Sequence, residues 1–179
     1  MHPETDEQLV GRVQKGERAA FAEIYRRYRS PLYSFCLRLS GRKETAEDAL
    51  QETFAKLALR AAEIRSRGAL RGWLYQVARN EILMTFRARR RTTELPEDAD
   101  GEVCDAETPL TLLEAKDGIA HMERSLARLK VEYREVIIMR EMEELSYAEI
   151  AAVTQSTEAA VKSRLFKARK ALAQRLGAH

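Results

Sequence analysis

Hydrophobic side chains recur at intervals of three and four residues along most of this chain, and that spacing predicts α-helices. The longest stripe lies in residues 71–91 and has six apolar positions: Trp73, Leu74, Val77, Ala78, Ile82 and Phe86. The same helix ends in four arginines: Arg87, Arg89, Arg90 and Arg91. Cations at the C-terminal end of a helix stabilise it by interacting with the negative end of its dipole, but four arginines are more than this stabilisation requires. This basic end is therefore either a solvated face or a nucleic-acid surface.

Three more helices are predicted before this one, at about residues 6–16, 17–41 and 43–61. Thr5 or Asp6 can cap the first of them. Pro31 is expected to break or kink the second, because proline removes a backbone donor and clashes with the preceding turn. The third helix buries an apolar face and turns carboxylates and amides outward. With short connections, the four helices predict one compact bundle of roughly 90 residues.

The helical pattern is interrupted at residues 92–109, which combine low hydrophobicity, acidic side chains and two prolines. Such a segment cannot bury enough apolar surface to offset the entropy of ordering it, so we expect a flexible linker. Its role is either that of a tether or that of a polyanion mimic that runs through a basic channel. Helical periodicity resumes near Leu110, which predicts a first domain over residues 1–91 and a second over 110–179.

A helix-turn-helix pattern occupies the end of the chain. Ser146 and Glu149 have the spacing of a capping box before a short helix, and Thr157 can cap a long final helix. The outer face of that helix carries six polar or basic residues: Lys162, Ser163, Arg164, Lys167, Arg169 and Lys170. Capping box, turn and basic face together favour DNA binding over an ordinary solvated helix.

Charge is separated along the chain, although the net charge is only +3. Residues 1–91 carry 19 basic and 11 acidic side chains, residues 92–117 carry one and nine, and residues 118–179 carry 11 and eight. Two basic blocks around an acidic one agree with two domains and a linker. Helix-forming residues dominate while Gly and Pro are scarce, so the expected fold class is all-α.

Several classes of protein are disfavoured by composition. No apolar run approaches the roughly 20 residues of a membrane span, and the first residues lack the features of a signal peptide, so we expect a soluble cytoplasmic protein. Cys36, Cys104 and three scattered histidines give neither a disulfide framework nor zinc-ligand spacing. No nucleophile–base pair or phosphate-binding glycine loop is visible. We therefore expect neither an enzyme nor a cofactor or metal.

Four segments together resemble the extracytoplasmic-function (ECF, group 4) sigma factors, the small two-domain members of the bacterial sigma-70 family. They are Ala46-Glu-Asp-Ala-Leu-Gln-Glu-Thr-Phe54, Arg71-Gly-Trp-Leu-Tyr-Gln-Val-Ala-Arg-Asn80, Leu145-Ser-Tyr-Ala-Glu-Ile-Ala151 and Ala160-Val-Lys-Ser-Arg-Leu-Phe-Lys-Ala-Arg169. The resemblance covers nearly the whole chain in the family's order. It implies two small helical domains, a four-helix sigma region 2 domain and a sigma region 4 helix-turn-helix domain, joined by the flexible acidic linker.

The function that this resemblance implies is that of an alternative sigma factor, which binds core RNA polymerase and directs recognition of the −10 and −35 promoter elements. The implied polymerase contacts are Asp48, Gln51, Glu52 and Phe54. The implied −10 contacts are Arg65, Arg67, Arg71, Gln76, Arg79, Asn80, Arg87 and Arg90. The implied −35 contacts are Thr157, Lys162, Ser163, Arg164, Lys167 and Arg169. These residue types fit their tasks, since carboxylates suit a basic partner helix and basic side chains suit DNA phosphates.

Four residues qualify the resemblance. Trp73 has the spacing of a core anchor more than that of a platform for stacked bases. Gln155 and Ser156 stand where the family usually has Gly and an apolar residue, which affects the turn geometry. Ala160 stands where Thr is common, so it offers only a methyl contact to a thymine.

The partners implied by the resemblance are core RNA polymerase, through its largest and second-largest subunits, promoter DNA and an anti-sigma protein. No small-molecule substrate is expected. Two other functions remain open: a helix-turn-helix repressor or activator that never touches polymerase, and a sigma-like mimic that only sequesters an anti-sigma protein. The first leaves the motif at residues 48–54 unexplained. A mimic of this kind is expected to have lost the basic side chains that contact the −10 and −35 elements, and this chain keeps them.

Overall fold

The computed structural model describes residues 4–64, 69–92 and 117–177. Within these ranges the chain is helical and contains no strand, which confirms the all-α prediction. The helices are α1 (Asp6–Gln14), α2 (Arg18–Ser40), α3 (Lys43–Arg60), α4 (Ala69–Thr92), α5 (Asp117–Ala127), α6 (Val131–Ile137), α7 (Tyr147–Thr154) and α8 (Glu158–Leu176). A 3₁₀ turn, Ala61–Glu63, follows α3, and a π-helical turn, Ile138–Met142, extends α6. The predicted linker, apart from its first residue, lies outside the described residues.

The starts of α1, α7 and α8 are set by side-chain caps, as their sequence patterns predict. Thr5 and Gln8 form a capping box at α1. Ser146 and Glu149 form the predicted box at α7, where the Ser146 hydroxyl accepts from the Glu149 N–H and the Glu149 carboxylate accepts from the Ser146 N–H. Thr157 accepts a hydrogen bond from the Ala160 N–H at 3.2 Å and so begins α8. Each cap satisfies a backbone donor that the helix itself leaves open.

The structure shows no break at Pro31, since α2 runs continuously from Arg18 to Ser40. A proline inside a helix costs about 3 kcal/mol because one backbone hydrogen bond is lost. Both halves of α2 bury side chains in the same core, with Ile24 before the proline and Leu32 and Phe35 after it. Each such burial contributes about 1.5–3 kcal/mol, so packing outweighs the local penalty and the expectation of a break is wrong.

The inner face of α4 differs in two residues from the predicted stripe, since Tyr75 joins it and Val77 is only half-buried. Leu74, Ala78 and Ile82 are buried as expected, and Tyr75 is buried with them. The Tyr75 ring packs edge-on against Phe35 of α2, with ring centroids 5.1 Å apart. Trp73 is half-buried against the core, in keeping with an anchoring role. The helix is therefore held to the first bundle by one more large side chain than its periodicity indicates.

The second half of the chain folds around α6, the π-helical turn and α8. Val136, Ile137 and Met139 are buried at helical spacing, and α6 passes into π-helical geometry over Ile138–Met142. Between α7 and α8, Gln155 adopts a left-handed backbone with φ of 53°. Glycine adopts this conformation without strain, whereas other residues rarely do. The position where the family usually has Gly is thus a true left-handed turn occupied by Gln.

The two halves pack against each other rather than standing apart. α4 lies against α7, while α2 contacts α5, α6 and the π-helical turn. Both sets of buried side chains belong to one continuous apolar cluster. In the described ranges, no helix combines the length and hydrophobicity that crossing a membrane requires.

Candidate polymerase and nucleic-acid interfaces

An acidic cleft lies between α3 and α4 in the first half. Asp48, Gln51 and Glu52 are exposed on α3 and line this cleft of about 400 Å³ together with Glu81 and Thr85 of α4. One cation neutralises part of it: Lys56 Nζ lies 3.6 Å from Glu52 and forms an ion pair with Glu81. Three carboxylates against one ammonium leave the cleft negative, so it suits a basic partner surface.

Phe54, the fourth residue of the predicted polymerase contact, faces a different groove. Its side chain is only 4% exposed and packs against Phe21 and Tyr25, with centroid separations of 6.3 and 4.7 Å. These three rings line an apolar groove of about 910 Å³ between α2 and α3. Gln51 lines both the groove and the acidic cleft. The predicted set therefore divides into an exposed acidic part and a nearly buried aromatic part.

The polar face of α4 divides into an exposed part and a part turned onto the second half. Asn80, Arg87 and Arg90 are exposed, while Gln76 is half-buried. Arg71 and Arg79 are also half-buried and contact residues of the second half. The predicted contacts Arg65 and Arg67 lie outside the described residues.

Arg79 forms a two-point ion pair with Glu135 of α6. Its Nε donates to Oε2 at 2.7 Å and its Nη2 donates to Oε1 at 3.1 Å. Arg71 donates to the backbone carbonyl of Glu143, and its Nη1 lies 4.0 Å from Oε1 of Glu149. Both guanidinium groups predicted to bind DNA phosphates are thus held by acceptors of the same chain.

Tyr75 adds a buried hydrogen bond to this contact. Its hydroxyl donates to Oε2 of Glu143 at 2.5 Å. Burial, and then this bond to a carboxylate, raise the pKa of Tyr75 far above its ordinary value, so the phenol stays protonated. Burial also opposes the charged form of Glu149, but its hydrogen bonds with Ser146 and the positive charge of Arg71 outweigh it and lower the pKa of Glu149. The contact between the halves therefore combines the neutral phenol of Tyr75 with glutamate side chains of the second half and arginine side chains of the first.

These carboxylates were not among the predicted site residues. Glu135 directly precedes an apolar run, Val136 to Met139, and Glu143 lies four residues after it, so on a helix both have the spacing of ordinary polar positions. Glu135 is nevertheless almost wholly buried. The one available signal was an acid directly beside four consecutive apolar residues.

The exposed stripe of α8 differs from the predicted one in two residues, since it includes Phe166 and Arg164 is only half-buried. The stripe consists of Lys162, Ser163, Phe166, Lys167, Arg169 and Lys170. Phe166 is 71% exposed, although helical periodicity gives no reason for a large apolar side chain in the middle of a basic stripe. Such an exposed aromatic usually marks a binding surface.

Three predicted −35 residues of α8 make contacts within the chain. Arg164 is half-buried and its Nη1 lies 3.7 Å from Oε1 of Glu135. Arg169 donates from Nε to Glu141 at 3.0 Å. Lys162 Nζ lies 5.3 Å from the centre of the Tyr147 ring, a cation–π distance that joins α8 to α7. Thr157, a fourth predicted contact, uses its hydroxyl to cap the helix.

Comparisons with known proteins place this arrangement in a family. The family model for sigma-70 region 2 matches residues 24–92, and that for sigma-70 region 4 matches residues 121–172. The RNA polymerase sigma-H factor of Pseudomonas aeruginosa is 32% identical over 178 residues, which cover 94% of this chain and 92% of that protein. The ECF RNA polymerase sigma factor SigM of Mycobacterium tuberculosis is 30% identical over 98% of this chain and 87% of its own. The chain belongs to the ECF sigma factors of the sigma-70 family.

Two solved structures have the same fold as this sigma factor. CnrH, in complex with the cytosolic domain of CnrY, gives a TM-score of 0.74 at 22% identity and covers 97% of both chains. The sigma factor RpoE of Bartonella quintana, in complex with the anti-sigma factor NepR, gives 0.71 at 24% identity over 88% of this chain and 97% of that one. At these identities the likeness concerns the fold alone.

Family membership settles the broad function. This sigma factor directs transcription initiation, and its curated relatives are initiation factors rather than catalysts. A DNA-binding regulator that never touches polymerase and a mimic that only sequesters another protein are both disfavoured by these matches. Among the described residues, no three His, Cys, Asp or Glu side chains are grouped as a metal site would require.

Proposed function

We propose that this sigma factor docks on core RNA polymerase through the acidic cleft of α3 and α4, and holds promoter DNA at two points. In this proposal residues 1–91 form the domain that binds polymerase and the −10 element, residues 92–109 link it to the next, and residues 110–179 bind the −35 element. The observation that carries it is the division of charge among three helices: α3 presents carboxylates, while α4 and α8 present cations.

Polymerase binding is assigned to Asp48, Gln51 and Glu52, with Phe54 supporting α3 from beneath. An exposed acidic helix face attracts a basic helix and fixes its register. Asp48→Lys should therefore weaken binding to purified core enzyme by at least about tenfold, or 1.4 kcal/mol. Glu44→Lys is the matched control, because Glu44 is exposed in the first turn of the same helix but lies outside the cleft. Equal losses from the two variants would show a general charge effect and not a docking site.

The −10 element is assigned to α4 and to Arg65 and Arg67, which precede it in sequence. Asn80 is exposed and offers both a donor and an acceptor to a base edge. Phosphate contacts are assigned to the arginines of the predicted set, and Gln76 is its remaining member. These arginines are Arg65, Arg67, Arg71, Arg79, Arg87 and Arg90. Phosphate contacts position the strand, whereas the amide carries sequence information.

The −35 element is assigned to the exposed stripe of α8, which would lie in the major groove. Lys162 and Ser163 face the bases together with Phe166, whose ring suits the methyl group of a thymine. Arg164 also contacts the bases once its ion pair with Glu135 is broken. Thr157, Lys167 and Arg169 lie nearer the phosphates. Phe166→Ala should lose roughly 1–3 kcal/mol on the cognate −35 sequence and much less on others.

Run-off transcription with purified core enzyme tests the proposal as a whole. A library of promoter sequences selected by the holoenzyme supplies the template, and stimulation should depend on both the −10 and the −35 sequences. Intact core binding without stimulation on any template would refute the initiation role of these surfaces.

An anti-sigma protein is proposed as a further partner, since both structural neighbours were solved in complexes with one or with a cytosolic domain. The cytoplasm is the compartment where polymerase and DNA would be met. No catalytic activity is proposed for the chain, so nucleotide hydrolysis by the free protein should stay at the level of a buffer control.

A further inference from the structure

Met84 is a large apolar side chain on the outer face of α4, where it is 57% exposed. Leu74, Ala78 and Ile82 bury the other side of the helix in the core, so the fold does not require an apolar residue at position 84. A single exposed methionine is ordinary on a protein surface. The side chains that surround Met84 distinguish it from that case.

Asn80, Arg87 and Arg91 share the outer face with Met84, and all three are exposed. With 3.6 residues per turn, the four side chains project within roughly 60° of one another. We call these four residues the outer stripe. Met84 stands between an amide on one side and two guanidinium groups on the other, so a ligand that binds these polar groups also covers the methionine.

The outer stripe is turned away from the contacts that α4 makes within the chain. Arg79, which pairs with Glu135 of α6, lies roughly 140° around the helix from Met84. On the other side of Met84, Glu81 and Thr85 line the acidic cleft. The helix therefore presents different sides to the second half, to the acidic cleft and to a ligand of the outer stripe, and the outer stripe carries positive charge.

The exposed stripe of α8 has the same composition, since Phe166 is 71% exposed there among lysines. Both helices to which promoter elements are assigned thus carry a large exposed apolar side chain between polar and basic ones. Among the four bases of DNA, thymine presents a methyl group in the major groove, and apolar side chains contact it. An apolar residue flanked by an amide and by cations that suit phosphates is therefore placed to contact this methyl group.

We propose that Met84 is a specificity-determining residue for the −10 element, where its side chain contacts the 5-methyl group of a thymine. This inference rests on the proposed function, in which Asn80 and Arg87 bind the −10 element. From Asn80 to Met84 the helix rises about 6 Å, which is less than two base steps of about 3.4 Å each. The thymine accordingly lies one or two positions from the base that Asn80 contacts, while Arg87 fixes the register through a phosphate.

Replacement of thymidine by deoxyuridine tests this contact, because deoxyuridine lacks the 5-methyl group and keeps the hydrogen-bonding groups. Holoenzyme is assembled from purified core enzyme and the full-length chain, and a promoter selected by that holoenzyme is synthesised with one deoxyuridine at each −10 thymine of each strand in turn. Competition between the thymidine and deoxyuridine promoters gives the ratio of their affinities. Loss of one methyl contact should weaken binding by the natural protein about fourfold at one position.

Met84→Ala should bind the two promoters equally at that position. Alanine is the strongest helix former, so circular dichroism should show an unchanged helix content. Met84→Leu keeps an apolar side chain and should keep most of the discrimination. Leu59→Ala is the matched control, since Leu59 is 84% exposed on α3 and lines neither the acidic cleft nor the apolar groove. This control should discriminate like the natural protein.

Either of two results would overturn the inference. One is a selected −10 sequence that contains no thymine. The other is a response to deoxyuridine that is the same in the natural protein and in Met84→Ala at every thymine. In both cases the holoenzyme still selects and binds a promoter, so the proposed function stands. Failure of the holoenzyme to select any promoter would refute the proposed function itself, and this inference with it.

Discussion

Tyr75→Phe removes a single hydroxyl from the contact between the halves and leaves the packing in place. The ring would keep its edge-on contact with Phe35, while the hydrogen bond that its hydroxyl donates to Glu143 is lost. Glu143 is 8% exposed, so water replaces the missing donor poorly. Hydrogen bonds to charged groups contribute about 1.5–3 kcal/mol. We expect the variant to lose about 2 kcal/mol of unfolding free energy.

Urea unfolding followed by circular dichroism at pH 7 measures this loss. The midpoint should fall while the slope with denaturant stays the same, because the exposed surface of the unfolded chain is unchanged. Tyr33→Phe is the matched control, since Tyr33 is a half-buried tyrosine on the groove side of α2, and it should change stability by less than about 0.5 kcal/mol. A loss of less than about 0.5 kcal/mol in Tyr75→Phe would refute the reasoning, because the Glu143 carboxylate would then be solvated or otherwise satisfied in solution.

Three further predictions concern single sites. Gln155→Gly should raise the unfolding free energy by up to about 1 kcal/mol by relieving the left-handed strain, and an unchanged midpoint in urea would show that the turn is relaxed. Burial raises the pKa of Cys36 to about 12, so iodoacetamide at pH 8 should label it only after unfolding; peptide mass spectrometry that finds rapid native labelling would contradict this. Burial and hydrogen bonds to carboxylates raise the pKa values of Tyr28 and Tyr75, so both phenols stabilise the fold fully below pH 10 and lose this contribution as pH rises above 10. In a variant with Phe at both positions, the free energy of unfolding should therefore fall less steeply with pH in this range. Alkaline unfolding followed by circular dichroism measures that dependence.

Local structure was largely predictable because short-range rules determine it. Ser146 with Glu149, and Thr157, satisfy open backbone donors, so the starts of α7 and α8 follow from sequence. At Pro31 the rule that proline breaks a helix fails. The 23-residue helix buries side chains on both sides of the proline and so tolerates one missing backbone hydrogen bond. A helix cap depends on residues within one turn, whereas the outcome at Pro31 depends on tertiary packing that outweighs the lost hydrogen bond.

The candidate sites were less predictable because their geometry depends on contacts between distant residues. The acidic α3 face follows from helical spacing, and the structure exposes it as expected for Asp48. Arg164 is read from spacing as an outward base contact, but the structure turns it toward Glu135, 29 residues earlier in sequence. No periodicity indicates that an acid on α6 will meet arginines from both α4 and α8. The position of Phe166 is likewise visible only once the buried face of α8 is known.

Glu135 is shared between the two helices proposed to read the promoter, since it contacts Arg79 of α4 and Arg164 of α8. The two guanidinium groups compete for this one buried carboxylate, so releasing Arg79 strengthens its hold on Arg164, and engagement of one promoter element by these arginines opposes engagement of the second. By thermodynamic reciprocity the effect is equal in both directions. A promoter with two strong elements should then be bound less tightly than the separate elements suggest. A single buried acid would in this way couple the recognition of two distant DNA sites negatively.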